Sequence, residues 1–138
     1  MKLSLLEKSI YFKGLLLLLK KDNLISAEER AMMMSVCGTM GFDKTFCKQA
    51  IDTLLENEYI LDEPPVFSSS EIAMVFISDG FKLACSDKDL DPKEVDYLRE
   101  TAIKNGLDLD WFNEMESSFS EQLNGESVLE ELNVAELL

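Results

Sequence analysis

The amino-acid sequence predicts an all-α protein, and three observations support this fold class. Apolar residues recur at spacings of three and four along most of the chain, which is typical of amphipathic helices. The 138 residues include only three prolines and six glycines, too few for a turn-rich β architecture. Serine or aspartate followed three residues later by glutamate recurs before the apolar runs, as at a helix start. We therefore expect a single compact domain of about seven helices over residues 1–138.

Three helices are predicted in the first part of the chain, over residues 3–20, 26–40 and 43–57. The first is apolar nearly all round at Leu15–Leu19, so we expect it at the centre of the core. Gly41 is expected to end the second helix in a left-handed conformation, and Asp43 to cap the third. The side chains predicted to face inward are Leu3, Leu6, Ile10, Gly14, Leu17, Met32, Met33, Val36, Cys37, Met40, Phe46, Ala50, Ile51, Leu54 and Leu55.

A linker over residues 58–68, which contains Pro64-Pro65, separates these helices from a second set. Ser68 with Glu71 predicts the start of a helix over 69–85, followed by helices over 92–105 and 108–124. A short amphipathic helix over 127–138 is expected to close the chain. The inward side chains predicted here are Ile72, Val75, Phe76, Phe81, Leu83, Ala84, Val95, Leu98, Ala102, Trp111, Phe112, Met115 and Phe119.

The two sets of helices repeat one another at a constant offset, the interval from Asp22 to Asp87. The turn Asp22–Glu29 matches the turn Asp87–Glu94, with Ser26 and Asp91 as the predicted N-caps. Each N-cap is expected to form a capping box with the glutamate three residues later. The pattern predicts an internal duplication, in which three-helix units over 3–57 and 69–124 pack about a pseudo-twofold axis, with the closing helix added.

The charge of the chain is strongly negative and unevenly distributed. The formal net charge is −14, and residues 66–138 hold 17 acidic against 5 basic residues. Such a field repels nucleic acid phosphates and attracts cations or basic proteins. We therefore expect no nucleic-acid binding, and a protein partner is expected.

Nothing in the sequence predicts a membrane or secreted protein. The Leu15–Leu19 run lies between lysines and is far shorter than the roughly 20 apolar residues that span a bilayer. Cys37, Cys47 and Cys85 are odd in number and widely spaced, so we expect no disulfide framework and a reducing, cytoplasmic location.

The residue types argue against an enzyme. The chain has no histidine, which excludes Ser-His and Cys-His catalysis and histidine metal ligands. No glycine-rich phosphate-binding loop is present. We expect a non-enzymatic domain.

The acidic turns are the candidate site. Asp87, Asp89 and Asp91 alternate like the first ligands of an EF-hand, but Pro92 stands where that loop needs glycine and Leu98 where it needs glutamate. A looser cluster is predicted instead if the duplicated turns face each other. Its metal ligands would be Asp22, Glu29, Asp87 and Glu94, with Asp79 and Asp89 as further candidates.

Two interpretations of these carboxylates stay open. Like charges held together require a proton or a cation, and oxygen ligands favour a divalent Ca, Mg or Mn ion. Alternatively, the same residues serve only as caps and turn residues. Asp79, between Phe76 and Leu83, is either semi-buried with a partner or just off the apolar stripe in solvent, and we expect the latter.

The repeated element resembles the TerB-like family, the small helical domains associated with tellurite resistance. The resemblance rests on Leu18–Glu29 and Leu83–Glu94, each followed by a Gly-apolar-Asp step at Gly41 and Gly106, and covers roughly residues 9–120. It implies an internally duplicated helical domain whose acidic face binds divalent metal, with a role in stress or metal-oxyanion response. The chain departs from the family in having Asn23 and Lys88 after the aspartates, where the family usually has glycine.

Two functions are therefore expected. The first is a cytoplasmic TerB-like domain that binds a divalent cation at its acidic turns as a stress or metal-oxyanion-response module. The alternative is a protein-interaction module without metal, whose acidic C-terminal half docks a basic partner.

Overall fold

Residues 3–22, 25–56, 63–85 and 90–123 are described in the structure, a computed structural model. They form six α-helices and one short 3₁₀ turn, Lys20–Asp22, and no strand occurs in these ranges. The helices are α1 (Leu5–Leu19), α2 (Ala27–Thr39), α3 (Lys44–Glu56), α4 (Ser70–Ala84), α5 (Pro92–Lys104) and α6 (Leu109–Leu123). The all-α prediction is confirmed. The predicted closing helix over 127–138 lies outside the described residues.

The helix starts repeat along the chain at the offset seen in the sequence. The interval from the start of α1 to the start of α4 also separates α5 from α2 and α6 from α3. Gly41 and Gly106, separated by the same interval, both have positive φ, at 91° and 69°. A side chain at either position would be strained, so glycine is required for the chain to turn out of α2 and α5.

The helix caps mostly follow the prediction. Ser26 and Glu29 form the reciprocal capping box at the start of α2. At α5 the Asp91 carboxylate instead accepts from the backbone N–H of Lys93, the second helical residue, at 2.8 Å. α4 is capped by Ser69, whose hydroxyl accepts from Ile72, so the predicted Ser68 cap is wrong by one residue.

The core is built on α1 and α4, which pack against each other. α1 also packs against α2 and α3, while α4 packs against α5 and α6. Every side chain of Leu15–Leu19 is at most 4% exposed, which confirms that the apolar end of α1 is central. A helix that is apolar on all sides is stable in water only when other helices surround it.

Two predicted core residues lie at the surface. Leu6 is 70% exposed, and Leu3 is the buried residue at that end of the chain. Phe46 is 50% exposed and packs on Phe42 with ring centroids 5.2 Å apart, while the neighbouring Cys47 takes the inward position. The remaining predicted core side chains that the structure describes are buried or partly buried. The side chains of Leu54 and Leu55 are outside the described part of the structure.

Two glycines allow the central helices to approach closely. A Cβ on Gly14 of α1 would lie 2.9 Å from the Phe76 ring of α4. A Cβ on Gly80 of α4 would lie 2.5 Å from a methyl of Leu98 in α5. Real Cβ atoms do not make such short contacts, so the buried Phe76 ring or Leu98 side chain would have to shift to admit a side chain there.

We expect Gly80→Ala to lower the free energy of unfolding by about 1–3 kcal/mol, because the added methyl overpacks the α4–α5 contact. The matched control is Gly38→Ala in α2, where a Cβ would meet nothing within 4 Å. There alanine should raise stability by up to about 1 kcal/mol through its helix propensity. Urea titration of both variants measures the difference, and equal effects would contradict the close approach.

Candidate functional site

The two predicted metal-ligand glutamates occupy equivalent, buried positions. Glu29 in α2 is 1% exposed and Glu94 in α5 is 2% exposed. Each is the third residue of its helix. Glu29 Oε1 accepts from the backbone N–H of Ser26 at 2.9 Å. Glutamate is almost never fully buried without a partner, and capping does not itself require burial, so both carboxylates are held inward by the tertiary fold.

The aspartates of the candidate site lie outside the described part of the chain or at its edge. Asp22 ends the 3₁₀ turn, but its side chain is not described, and neither are Asp87 and Asp89. Within the described ranges, no group of three or more aspartate, glutamate or cysteine residues could hold a metal ion. The four-carboxylate cluster therefore stays a prediction.

A lysine contact places the first acidic turn against the second half of the molecule. The Lys21 Nζ lies 5.1 Å from the centroid of the Tyr97 ring in α5, and the 3₁₀ turn packs on that helix. Burial lowers the pKa of Lys21, and the charge of Glu100 opposes this shift. Glu94 precedes Tyr97 by one helical turn, and both side chains are buried. The 3₁₀ turn that leads into the first acidic turn thus lies beside α5, the helix that follows the second.

Asp79 lies in the core, so the expectation that it faces solvent is wrong. Its side chain is 0% exposed, and its carboxylate accepts a hydrogen bond of 2.5 Å from the Tyr11 hydroxyl of α1. The equivalent position of the first half is Gly14, whose missing side chain leaves α1 close to α4. The signal in the sequence was Tyr11 itself, a hydroxyl among the apolar residues of α1 that requires a polar partner when buried.

Two buried tyrosines connect α1 to the second half. Tyr11 packs between Phe67 and Phe76, with ring centroids 5.7 and 5.2 Å away. Its pKa is raised well above the usual value by burial and, further, by the charge and hydrogen bond of Asp79. The Tyr97 hydroxyl donates to the carbonyl oxygen of Gly14 at 3.1 Å, and burial raises the pKa of Tyr97.

A disulfide joins α2 to α3 through Cys37 and Cys47, whose Cα atoms are 5.9 Å apart. The expectation that the cysteines form no disulfide is therefore wrong. The cause is the turn at Gly41, which returns α3 along α2 and brings together two buried positions 10 residues apart. Cys85, the third cysteine, is partly buried and lies outside this bond.

A pocket of about 330 Å³ opens beside the disulfide. It is lined by Met34, Ser35, Gly38, Phe42, Lys44 and Cys47. Cys47 forms part of the pocket wall although its own exposed surface is nil. The pocket therefore approaches the disulfide without exposing it.

Comparison with known proteins identifies no relative: no protein-family model, curated protein or solved structure matches the chain. In the described ranges, none of the helices has the length and apolar character needed to cross a membrane. The interpretation of the site therefore depends on its own geometry and on the resemblance noted in the sequence.

We expect the free energy of unfolding to fall as the pH rises above 10, the ordinary pKa of tyrosine. Because the pKa of Tyr97 is raised in the folded state, its contribution is complete below pH 10 and is lost above it. The unfolded chain then releases a proton that the folded chain keeps, which costs about 1.4 kcal/mol per pH unit.

Tyr97→Phe should reduce this slope by one proton, as measured by urea titration between about pH 9 and 11.5. Around pH 8, Tyr97 is protonated in both the folded and the unfolded state. There the difference in unfolding free energy between the two proteins should not change with pH. An unchanged slope in the variant would show that Tyr97 ionises equally in both states.

Proposed function

We propose that this chain is a non-enzymatic, cytoplasmic TerB-like domain that binds a divalent cation between two acidic turns. The ligands would be Asp22, Glu29, Asp87 and Glu94, with Asp79 no longer a candidate because it is committed to Tyr11 in the core. The expected role is that of a stress or metal-oxyanion-response module. The duplicated units would pack about a pseudo-twofold axis, which would bring the two turns to the same side.

The observation that carries this proposal is the burial of both Glu29 and Glu94. They stand at the same position of equivalent helices, and each follows an acidic turn. Moving a carboxylate out of water is unfavourable unless a positive charge or hydrogen bonds compensate. Two buried glutamates at the same position of equivalent helices, each next to an acidic turn, are the arrangement expected of a ligand shared by both halves.

The contact of Lys21 with Tyr97 supplies further support. It brings Lys21, which directly precedes the first acidic turn, onto α5, the helix that follows the second turn, as expected if the two turns lie on the same side. With carboxylate oxygens as donors and no histidine in the chain, the chemistry suits a hard cation such as Ca²⁺, Mg²⁺ or Mn²⁺. Lys21 itself is turned onto the Tyr97 ring.

We expect Ca²⁺ or Mn²⁺ to raise the melting temperature in a concentration-dependent manner, because a ligand that binds only the folded state stabilises it. At a concentration about 100 times the Kd the gain is about 2.7 kcal/mol. Asp87→Asn and Glu94→Gln should each abolish the response. Amide NMR during the titration would locate the affected residues.

Glu28→Gln is the matched control, since Glu28 is exposed in the same first turn as Glu29 and its substitution removes the same charge. This variant should respond to metal like the unmodified chain. Absence of any response at millimolar Ca²⁺, Mg²⁺ and Mn²⁺ would refute cation binding. If Glu28→Gln lost the response to the same extent, the stabilisation by metal would come from general screening of the negative charge and not from a specific site.

A second candidate function is the docking of a basic protein on α6. This helix contains four acidic residues and no lysine or arginine. Three of the four, Asp110, Glu114 and Glu121, are exposed, and Glu116 binds Arg99 of α5 at 3.2 Å. Exposed charges of one sign steer a partner of opposite charge at a rate that falls with salt.

For this function we expect a lysine-rich peptide to bind the chain at low salt and to dissociate as the salt approaches about 0.15 M and above. Asp110→Asn/Glu114→Gln/Glu121→Gln should remove most of the binding, measured by fluorescence anisotropy. Asp43→Asn/Asp52→Asn/Glu56→Gln, on α3 and directly before it, is the charge-matched control. Equal losses in the two triple variants would contradict a specific α6 surface.

A further inference from the structure

We infer that the Cys37–Cys47 disulfide is redox-active, exchanging with a dithiol reductant and thereby controlling how readily α2 and α3 separate. The inference concerns a site and a reaction distinct from the acidic turns. It rests on the position of the bond, on what else joins the two helices, and on the pocket beside it.

The second half of the molecule shows that this hairpin does not need a disulfide. At the offset that relates the two halves, Ala102 stands for Cys37 and Phe112 for Cys47. Both are 0% exposed, as the cysteines are. A small and a large apolar side chain thus fill the place that two sulfur atoms fill in the first half. The bond in the α2–α3 hairpin replaces side-chain packing and is not imposed by the topology.

Aromatic contacts hold α6 of the α5–α6 hairpin against α4. Phe112 and Phe119 of α6 lie 5.5 and 5.3 Å from the ring of Phe81 in α4. The Arg99 guanidinium of α5 lies 5.4 Å from the Phe112 ring centroid and also binds Glu116. Buried aromatic contacts of this kind are among the strongest side-chain interactions in a core.

In the α2–α3 hairpin the described ion pair and aromatic pair lie towards the surface. Arg30 and Asp52 form an ion pair whose side chains are 38% and 43% exposed, and such exposed pairs contribute little. The aromatic pair of Phe42 and Phe46 lies at the surface, with Phe46 half exposed. The disulfide is therefore expected to supply a large share of the stability of this hairpin.

The pocket provides the route for the exchange reaction. Cys47 lines it and Cys37 does not, so the reductant thiolate attacks Sγ of Cys47. The S–S bond breaks, and Sγ of Cys37 leaves with the electron pair and takes up a proton. The second thiol of the reductant then attacks the mixed disulfide and releases Cys47 as a thiol. The protein gains two electrons and two protons, and the dithiol becomes a disulfide.

Because Cys47 is 0% exposed, attack requires the pocket to widen as α2 and α3 move apart. The same separation becomes easier once the bond is broken, because the chain then regains the conformational entropy that a cross-link between residues 10 positions apart removes. Reduction is thus coupled to hairpin opening. Glu29 and Cys37 lie on the same buried face of α2. Movement of α2 on reduction would therefore also move Glu29, which ends the first acidic turn.

The test is hydrogen–deuterium exchange of the full chain before and after treatment with dithiothreitol, with thiol labelling to follow reduction. Reduction should accelerate amide exchange in α2 and α3 by on the order of 100-fold, the factor that the loop entropy predicts. Exchange in α5 and α6, the disulfide-free hairpin, should remain unchanged. Cys85→Ala serves as the background, so that Cys85 takes no part in the exchange.

In that background, Cys37→Ala/Cys47→Ala should exchange rapidly in α2 and α3 with or without reductant. Failure of excess dithiothreitol to reduce the native chain would overturn the inference. So would reduction without faster exchange in α2 and α3, or with an equal increase in α5 and α6. The readout does not involve a cation, so its failure and that of the proposed metal site are distinguishable.

Discussion

The direct packing of α1 against α4 is the contact on which the rest of the structure depends. Among the described helices, α1 packs on both halves, because it touches α2 and α3 as well as α4 and α5; the 3₁₀ turn that follows it also packs on α5. The contact is close because Gly14 has no side chain, and it is specific because Tyr11 donates to the buried carboxylate of Asp79. A buried polar pair can fix the alignment of two helices that apolar packing alone leaves free to slide.

The equivalence of Gly14 and Asp79 shows how two similar halves acquire different tasks. At this position the first half has a glycine, which lets α1 approach α4, and the second half has an aspartate, which binds Tyr11 of α1. Both residues therefore belong to the α1–α4 interface. The Tyr97 hydroxyl completes it by donating to the Gly14 carbonyl. The two halves, whose helix starts repeat at a constant offset, are thus held together by residues that differ between them.

The same contrast applies to the two hairpins and bears on function. Aromatic packing anchors the α5–α6 hairpin to α4, whereas a disulfide links the two helices of the α2–α3 hairpin. Packing does not respond to the redox state of the surroundings, whereas a disulfide does. A domain proposed to act in the cytoplasm, where disulfides are mostly transient, would gain from this bond a first half that responds to reductants.

Local sequence determined the helices and their ends. Apolar spacing, the Ser26–Glu29 capping box and the glycines at 41 and 106 act within a few residues, so their effects could be predicted without knowledge of the fold. Tertiary structure decided the burial of Asp79, the exposure of Phe46 and the bond between Cys37 and Cys47. Each of these depends on which helix lies opposite, and periodicity along one helix carries no information about its neighbour. The burial of Glu29 and Glu94 belongs to the same class, since capping predicts their position along the helix and only the packing of α2 and α5 removes them from water.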